Sequence, residues 1–165
     1  MTLRSFGVRR LAFALPLALL TLASNARADD KGCKVEEVSG TLASTQVVGA
    51  ACPSPIGLCT SGKLTGDLAG DFFYTALSVI FLSDGVTAIF EGTIVVTTRR
   101  GTITEHDHTI ANVQTGALVD VIPLLGGTKH WKGVTGTLDL TGTFNFATGV
   151  GASTYHGVIS RLGND

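Results

Sequence analysis

The chain has 165 residues, of which 44% are hydrophobic and 15% are charged, and its formal net charge is −1. This length fits one ordinary domain, and the weak charge excludes a strongly basic nucleic-acid-binding domain. Abundant Gly, Thr, Val and Ile, few charges and a single tryptophan are typical of an all-β protein.

The first 28 residues are predicted to be a signal peptide. Arg9 and Arg10 contribute to a positive start, residues 11–22 form an apolar run, and Ala-Arg-Ala at 26–28 offers a signal peptidase site. The run is too short to span a bilayer, which disfavours an uncleaved anchor. Four arginines and no acidic residue lie in this segment, so the mature chain is acidic, and neither nucleic acid nor a membrane is expected as its partner. We therefore predict a periplasmic or secreted protein, with the export route left open.

Three cysteines lie beyond this leader, and an oxidising compartment favours a disulfide among them. Cys52 and Cys59 flank a Pro/Gly-rich loop that a bridge would pin to the rest of the fold. Cys33 could compete for either partner, and spacing alone leaves the pairing open. Residues 29–60 are thus predicted to be an N-terminal strand and a Cys/Pro-rich loop, and residues 61–165 the remainder of one β-barrel domain.

Strand-like runs alternate with turn signals along the whole mature chain, and no segment shows a sustained helical period. Residues 83–85 (Ser-Asp-Gly) and 99–101 (Arg-Arg-Gly) are typical of tight hairpin turns, and 126–128 (Gly-Gly-Thr) are expected to open a loop. Eight strands so connected predict a closed up-and-down barrel or a near-closed sandwich. The predicted strands are 35–47, 61–69, 71–82, 86–98, 102–111, 115–122, 134–146 and 150–160.

A recurring Gly-Thr-apolar phrase indicates which way the strands face, since alternate residues of a strand point to opposite sides. In 134–146 the residues in step with Leu138 are mostly apolar and the others are mostly Thr, Asp or Asn, so the apolar member of the phrase points inward. Strand 86–98 agrees, and its predicted inner set is Val86, Ala88, Phe90, Ile94 and Val96. Applied to Gly101-Thr102-Ile103, the same rule turns Glu105 and Asp107 into the interior.

Two inward carboxylates suit a ligand cavity better than a packed core, because burying a charge is costly unless it is hydrated, paired or protonated. Neighbouring carboxylates also raise each other's pKa, so Glu105 and Asp107 are candidate general acid–base residues. The alternative is a one-residue slip at a bulge, which would turn both side chains to solvent.

The remaining candidates are histidines and aromatic residues. His106 and His108 share a strand face and could hold a metal, but no local spacing brings a third ligand, so no metal site is predicted. Most phenylalanines are expected to fill the core. We predict a ligand-binding set from the hydroxyl-bearing and rim aromatics together with two core rings: Tyr74, Tyr155, Phe90, Phe144 and Trp131.

The segment 126–138, Gly-Gly-Thr-Lys-His-Trp-Lys-Gly-Val-Thr-Gly-Thr-Leu, resembles the "GGTG-x-F-x-x-A-x-G" segment of the allene oxide cyclase and dirigent superfamily. Tyr155-x-Gly157-x-Ile159 is similar to that group's closing strand. The chain departs from the pattern at Lys129, Trp131 and Val134, and the match lies in structural glycines, so no catalytic residue is carried over.

The resemblance extends over about residues 60–160. With its leader, the chain is similar to an exported bacterial member of the superfamily. The resemblance implies an eight-stranded antiparallel barrel with an apolar cavity, often forming a homo-oligomer. The superfamily includes plant cyclases, dirigent proteins that steer phenoxy-radical coupling, and bacterial cyclisation enzymes.

Three functions remain open. The first is a barrel that binds a small apolar molecule in its cavity. The second is a cofactor-free cyclase or isomerase with Glu105 or Asp107 as acid–base and Tyr74 or Tyr155 orienting the substrate. The third is a packed structural or interaction barrel. No nucleophile elbow, phosphate-binding loop or dinucleotide fingerprint is present in the sequence, so no cofactor is expected.

Overall fold

The chain folds into a closed barrel of eight antiparallel strands, as predicted from the sequence. The structure is a computed structural model that describes residues 32–162. Each strand pairs with the next along the chain, and the last strand pairs with the first. The strands are β1 (Cys33–Val47), β2 (Cys59–Leu64), β3 (Gly70–Phe81), β4 (Thr87–Thr98), β5 (Gly101–Asn112), β6 (Ala117–Gly127), β7 (Thr135–Asn145) and β8 (Val150–Leu162).

Two predicted strand ends are wrong by more than two residues, and a glycine accounts for each. The predicted strand 61–69 ends at Leu64, because Gly66 has a φ of +80° and begins a short 3₁₀ turn, Gly66–Leu68. The predicted strand 115–122 continues to Gly127, so residues 126 and 127 belong to β6 and do not open the loop. A bulge makes this continuation possible, since Thr104 pairs with Gly126 while Glu105 pairs with Leu124.

The predicted facing of β4 and β7 is confirmed by burial. On β7, Leu138, Leu140 and Phe144 are buried, whereas the intervening Thr and Asp residues are exposed. On β4, Phe90 and Ile94 are buried in the same alternating way. The inner faces therefore supply the core, as the period of two requires.

The interior is filled differently at its two ends. At the end closed by the 3₁₀ turn Lys129–Trp131, the residues are fully enclosed: Leu68, Ile103, Val134 and Ile159 are all 0% exposed. Trp131 is itself buried there, and its indole N–H donates to Thr98 Oγ1 at 2.9 Å. Trp131 thus anchors the loop and seals this end, which we call the closed end.

The opposite rim carries the Cys/Pro-rich loop. Cys52 and Cys59 form a disulfide, and Cys59 at the start of β2 is fully buried. Ser54 Oγ holds the loop by donating to the main-chain carbonyl of Ala76 at 2.6 Å. Cys33 is exposed and lies outside this pair. The bridge therefore fastens the loop beside β2 and β3.

The predicted signal peptide, residues 1–28, lies outside the described residues. Within residues 32–162, the helical segments are all too short to pass through a bilayer.

Removing the disulfide is expected to destabilise the barrel, because the bridge restricts the loop in the unfolded chain. The double variant Cys52→Ala/Cys59→Ala should lower the free energy of unfolding by about 2 kcal/mol. Urea unfolding followed by circular dichroism measures this loss.

Cys33→Ala is the matched control, since Cys33 is exposed and unbridged. It should leave the unfolding midpoint unchanged. Equal midpoints for the wild-type protein and the double variant would show that the bridge does not stabilise the fold.

Candidate functional site

A partly open cavity of about 90 Å³ occupies the barrel interior away from the closed end. Every strand contributes to its wall. On β5 the wall is formed by Asp107, Thr109 and Ala111, which approach the β5–β6 turn, and on β6 by Leu118 and Asp120, just beyond that turn. The cavity therefore lies in the half of the barrel that faces the disulfide-bearing rim.

Two carboxyl groups meet in this cavity, and we call Asp107 and Asp120 the cavity acids. Asp107 is 2% exposed, and its Oδ2 accepts a hydrogen bond from Thr109 Oγ1 at 2.8 Å. Thr109 is also the β5 residue that pairs with Asp120 on β6. Asp120 Oδ1 is buried and has no hydrogen-bond partner among the described residues. The threonine thus links two acids on adjacent strands.

Burial raises the pKa of both cavity acids well above the ordinary value of a carboxyl. For Asp120 the negative charge of Asp107 raises the pKa further, while the hydroxyl of Thr109 opposes the rise at both acids. The two groups titrate as a pair, because ionisation of one acid makes ionisation of the other less favourable.

Glu105 faces inward, as expected for a residue two positions from the buried Ile103, but it does not line the cavity. It is the next inner residue of β5 toward the closed end, opposite Ile94 of β4. It is 2% exposed, and its Oε1 has no hydrogen-bond partner among residues 32–162. Burial, and then the charge of Asp107, raise the pKa of Glu105 to about 8. Of the two predicted acid–base residues, the structure therefore brings Asp107 to the cavity and leaves Glu105 one inward step nearer the closed end.

The two inward tyrosines each lie against the glycine of a Gly-Thr-apolar phrase. A Cβ on Gly92 would lie 2.3 Å from the Tyr74 ring, and one on Gly40 would lie 2.5 Å from the Tyr155 hydroxyl. The absence of a side chain at these two glycines therefore makes room for the rings. The Gly-Thr-apolar phrase therefore indicates a strand and, at these two positions, also provides the space for an aromatic ring.

The hydroxyls of these tyrosines have different surroundings. Tyr155 donates to the main-chain carbonyl of Thr65 at 2.8 Å and accepts from the N–H of Leu68 at 3.0 Å. Tyr74 lines the cavity, and its hydroxyl has no partner among the described residues. Burial, then the charges of Asp107 and Asp120 and the hydrogen-bonding proximity of Asp107, raise the pKa of Tyr74 above its ordinary value, so the phenol stays protonated and faces the cavity acids. Tyr74 is thus available to a ligand.

Of the five predicted ligand-binding residues, the structure brings Tyr74, Phe90 and Phe144 to the cavity. Tyr155 and Trp131 lie outside its lining. Tyr155 fixes the Gly66–Leu68 turn, and Trp131 seals the closed end.

Sequence reasoning missed Asp120 and Phe146, which line the cavity. Phe146 follows β7, and its ring lies 6.1 Å from Phe90 and 5.1 Å from Phe144 between ring centres, which forms an aromatic wall. Asp120 shares an inner face with Ile122, but the outward Val119 and Val121 are equally apolar. The alternation of Asp120 with the buried Ile122 could have indicated that Asp120 faces inward, but the apolar Val119 and Val121 on the other face made the two faces look alike.

The histidine pair lies outside the barrel. His108 is exposed on β5, and the rings of His106 and His108 are 4.5 Å apart. The carboxylate nearest to His108 is that of Glu91, at 4.0 Å. Within the part of the chain that the structure describes, no three His, Cys, Asp or Glu side chains are grouped so that they could hold a metal ion.

No family model matches the chain, and no curated protein matches it. The barrel is similar to the solved structure of the pterocarpan synthase dirigent protein GePTS1, at 14% identity and a TM-score of 0.49, over 81% of this chain and 88% of that chain. A second similar structure is the pterocarpan synthase dirigent protein PsPTS1, at 14% identity and a TM-score of 0.45, over 76% of this chain and 94% of that one. The likeness is one of fold alone.

Removing the hydroxyl of either tyrosine should separate the structural residue from the cavity residue. Tyr155→Phe leaves the buried N–H of Leu68 without a partner and should lower the free energy of unfolding by about 1–3 kcal/mol. Tyr74→Phe is the matched comparison, since it leaves no main-chain donor unpaired, and it should lower the free energy of unfolding by less than Tyr155→Phe does. Chemical denaturation of both variants measures the difference, and an equal loss in both would contradict these roles.

The buried carboxyls should make the protein less stable as pH rises. Glu105 and the cavity acids have pKa values above those of the unfolded chain, so the folded state binds more protons in the intervening range. Their contribution is fully present below about pH 4 and is lost as pH rises toward about 8. Glu36 acts oppositely, because hydrogen bonds from Arg161 and Lys34 lower its pKa to about 2, so its contribution is lost in acid.

Urea unfolding at about pH 4.5, 6 and 8 should show this decline. Glu105→Gln should flatten it by removing one titrating group. Glu91→Gln, on the outer face of β4, serves as the control and should retain the full decline. A pH-independent free energy of unfolding over this range would contradict the placement of the acids.

Proposed function

We propose that this protein binds a small, largely apolar molecule in the barrel cavity. The observation that carries the proposal is the partly open, aromatic-walled cavity in a barrel whose other end is tightly filled. Cavities of this kind, mostly apolar with a few converging polar groups, are the usual form of small-molecule sites. Tyr74 and the cavity acids supply those polar groups here.

A packed structural barrel accounts less well for the same interior. Apolar side chains could fill the cavity as completely as Leu68, Ile103 and Ile159 fill the closed end. Instead, the chain places two acids and an unpartnered phenol there, which costs stability unless a ligand or solvent compensates them. This cost favours a binding role.

We also propose that the protein acts outside the cytoplasm. The Cys52–Cys59 disulfide supports this location, since such bonds persist in oxidising compartments. The predicted leader adds the sequence argument.

Filling the cavity should abolish binding. Ala111 is 1% exposed and lines the cavity, so Ala111→Leu places extra atoms inside it. Ala117→Leu, on the exposed face of the neighbouring strand, is the matched control. In ¹⁵N-resolved NMR titrations with benzyl alcohol, the wild-type protein and Ala117→Leu should show saturable shifts at cavity residues. Ala111→Leu should lose at least about tenfold in affinity.

Small molecules extracted from the natively exported protein should identify the natural ligand by mass spectrometry. They should be depleted from Ala111→Leu and retained by Ala117→Leu. Saturable binding that the two variants share equally would place the site elsewhere and contradict the proposal.

A cofactor-free isomerase or cyclase is the second candidate, and the paired cavity acids favour it. A carboxylate can accept a proton from one position of a bound molecule while the protonated partner returns one to another position. This exchange changes no oxidation state and consumes nothing. Since Glu105 does not line the cavity, Asp107 and Asp120 fill these roles, and Tyr74 orients the substrate.

An enzyme and a carrier respond differently when a cavity acid becomes an amide. Asp107→Asn and Asp120→Asn should abolish turnover of the extracted molecule if the protein is an enzyme, because an amide cannot exchange a proton at neutral pH. Chromatography detects turnover as an isomer of unchanged mass. If the protein is a carrier, the wild type forms no isomer and the variants only bind more weakly.

A further inference from the structure

Resting on the proposed binding function, we infer that the ligand of this cavity is a small organic cation. It is a protonated amine with an aromatic or aliphatic body, and its ammonium group binds at Asp107 and Asp120 beside Tyr74. The inference joins three separate features of the interior: its uncompensated acids, its unpartnered buried oxygens and its aromatic wall.

The acids have no protein counter-charge. The cavity lining contains two carboxyl groups and, among residues 32–162, no Lys, Arg or His. The salt bridges of the described chain involve other acids, such as Glu36 with Arg161 near the closed end and Lys63 with Asp71 outside. A buried carboxylate without a cation is costly. In the free protein, protons reduce that cost, and a bound ammonium would replace them.

Buried oxygens without hydrogen-bond partners lie in the cavity wall and next to it. Asp120 Oδ1 and the Tyr74 hydroxyl line the cavity, and each of these atoms is buried without a hydrogen-bond partner of good geometry among the described residues. Glu105 Oε1, one inward step along β5 from Asp107 and outside the cavity lining, is also buried and unpartnered. Buried polar groups normally find hydrogen bonds, so these atoms mark an incomplete network. Carboxylate oxygens accept hydrogen bonds, and an ammonium group supplies three donors.

The aromatic side chains of the cavity suit the rest of such a molecule. The Phe146 ring lies against the rings of both Phe90 and Phe144, and all three line the cavity, as Tyr74 does. The faces of aromatic rings attract cations, and the rings also bury an apolar body. A cavity of about 90 Å³ that is partly open admits a small ring or chain whose remainder extends toward the rim.

Other charged ligands fit less well. An anion would meet two acids and no base in the lining. A metal ion needs three or more suitably grouped ligands, which the side chains of residues 32–162 do not provide.

The interior groups predict how pH controls binding. The titratable side chains inside the barrel near the cavity are Tyr74 on β3, Glu105 and Asp107 on β5, Asp120 on β6 and Tyr155 on β8. The acids on the adjoining strands, Glu91 and Asp139, face outward. Raising the pH ionises the cavity acids while the phenols stay neutral, so the cavity becomes more negative and holds a cation more tightly.

A matched set of three probes tests the inference: benzylammonium, benzyl alcohol and benzoate, titrated into the purified protein and followed by NMR shifts of cavity residues. At about pH 8, benzylammonium should bind at least about tenfold more tightly than benzyl alcohol, as a charge-assisted hydrogen bond requires, and benzoate should not bind. Lowering the pH to about 5 should weaken benzylammonium binding about tenfold and leave benzyl alcohol unaffected.

Two variants assign the effect to the cavity acids. Asp107→Asn and Asp120→Asn should each lose at least about tenfold in benzylammonium affinity and lose clearly less in benzyl alcohol affinity. Asp139→Asn, on the outer face of β7, should change neither. The pH series on the unmodified protein keeps the test decisive if an interior variant fails to fold.

The outcomes separate the inference from the proposed function. If benzyl alcohol binds as tightly as benzylammonium at the higher pH, the cationic ligand is overturned while the binding cavity stands. If benzyl alcohol binds more tightly at low pH and benzylammonium does not respond, the acids act as proton donors to neutral ligands and the inference fails. If no probe shifts the cavity residues, both the cavity function and the cationic ligand fail.

Discussion

Every strand of a closed barrel has one inner and one outer face, and successive residues point to these faces in turn. The facing of one residue therefore fixes the facing of the others on its strand. Once Ile103 lies in the core, Glu105 and Asp107 must lie inside as well, unless a bulge intervenes. The bulge that does occur opposite β5 is on β6, at Leu125, and it leaves the parity of β5 intact. The same constraint that builds the core therefore brings the acids into it.

The inward or outward facing of a residue could be predicted from the sequence, but its position along the barrel axis could not. The alternation on β4, β5 and β7 indicated the inward set correctly, including Phe90, Asp107 and Phe144. Whether an inward residue lines the cavity or fills the closed end depends on how far each strand is staggered against its neighbours. Glu105 and Asp107 differ by one inward step on the same strand, yet one lies below the cavity and the other in its wall. The positions of Tyr155 and Trp131 along the barrel axis were unpredictable for the same reason, because their hydrogen-bond partners lie far away in the sequence.

The two halves of the barrel divide stability and binding between them. The closed end is filled by apolar side chains and sealed by the indole hydrogen bond of Trp131 to Thr98, so it supplies most of the core. The other half contains acids that are unfavourable there on packing grounds alone. Local disagreement between a residue and its surroundings is expected at functional sites, where the rest of the fold supplies the stability that the site loses.

The contrast between the two tyrosines shows what distinguishes a site residue from a structural one in this barrel. Both face inward, and both lie against a glycine that provides the space for the ring. Around Tyr155 the main chain offers a donor and an acceptor, and the hydroxyl is used up in holding the Gly66–Leu68 turn. Around Tyr74 the neighbours are acids and phenylalanines, and the hydroxyl has no partner in residues 32–162. Residue type and facing are therefore not enough to define the site, because the deciding property is whether the surrounding chain has already satisfied the polar atom.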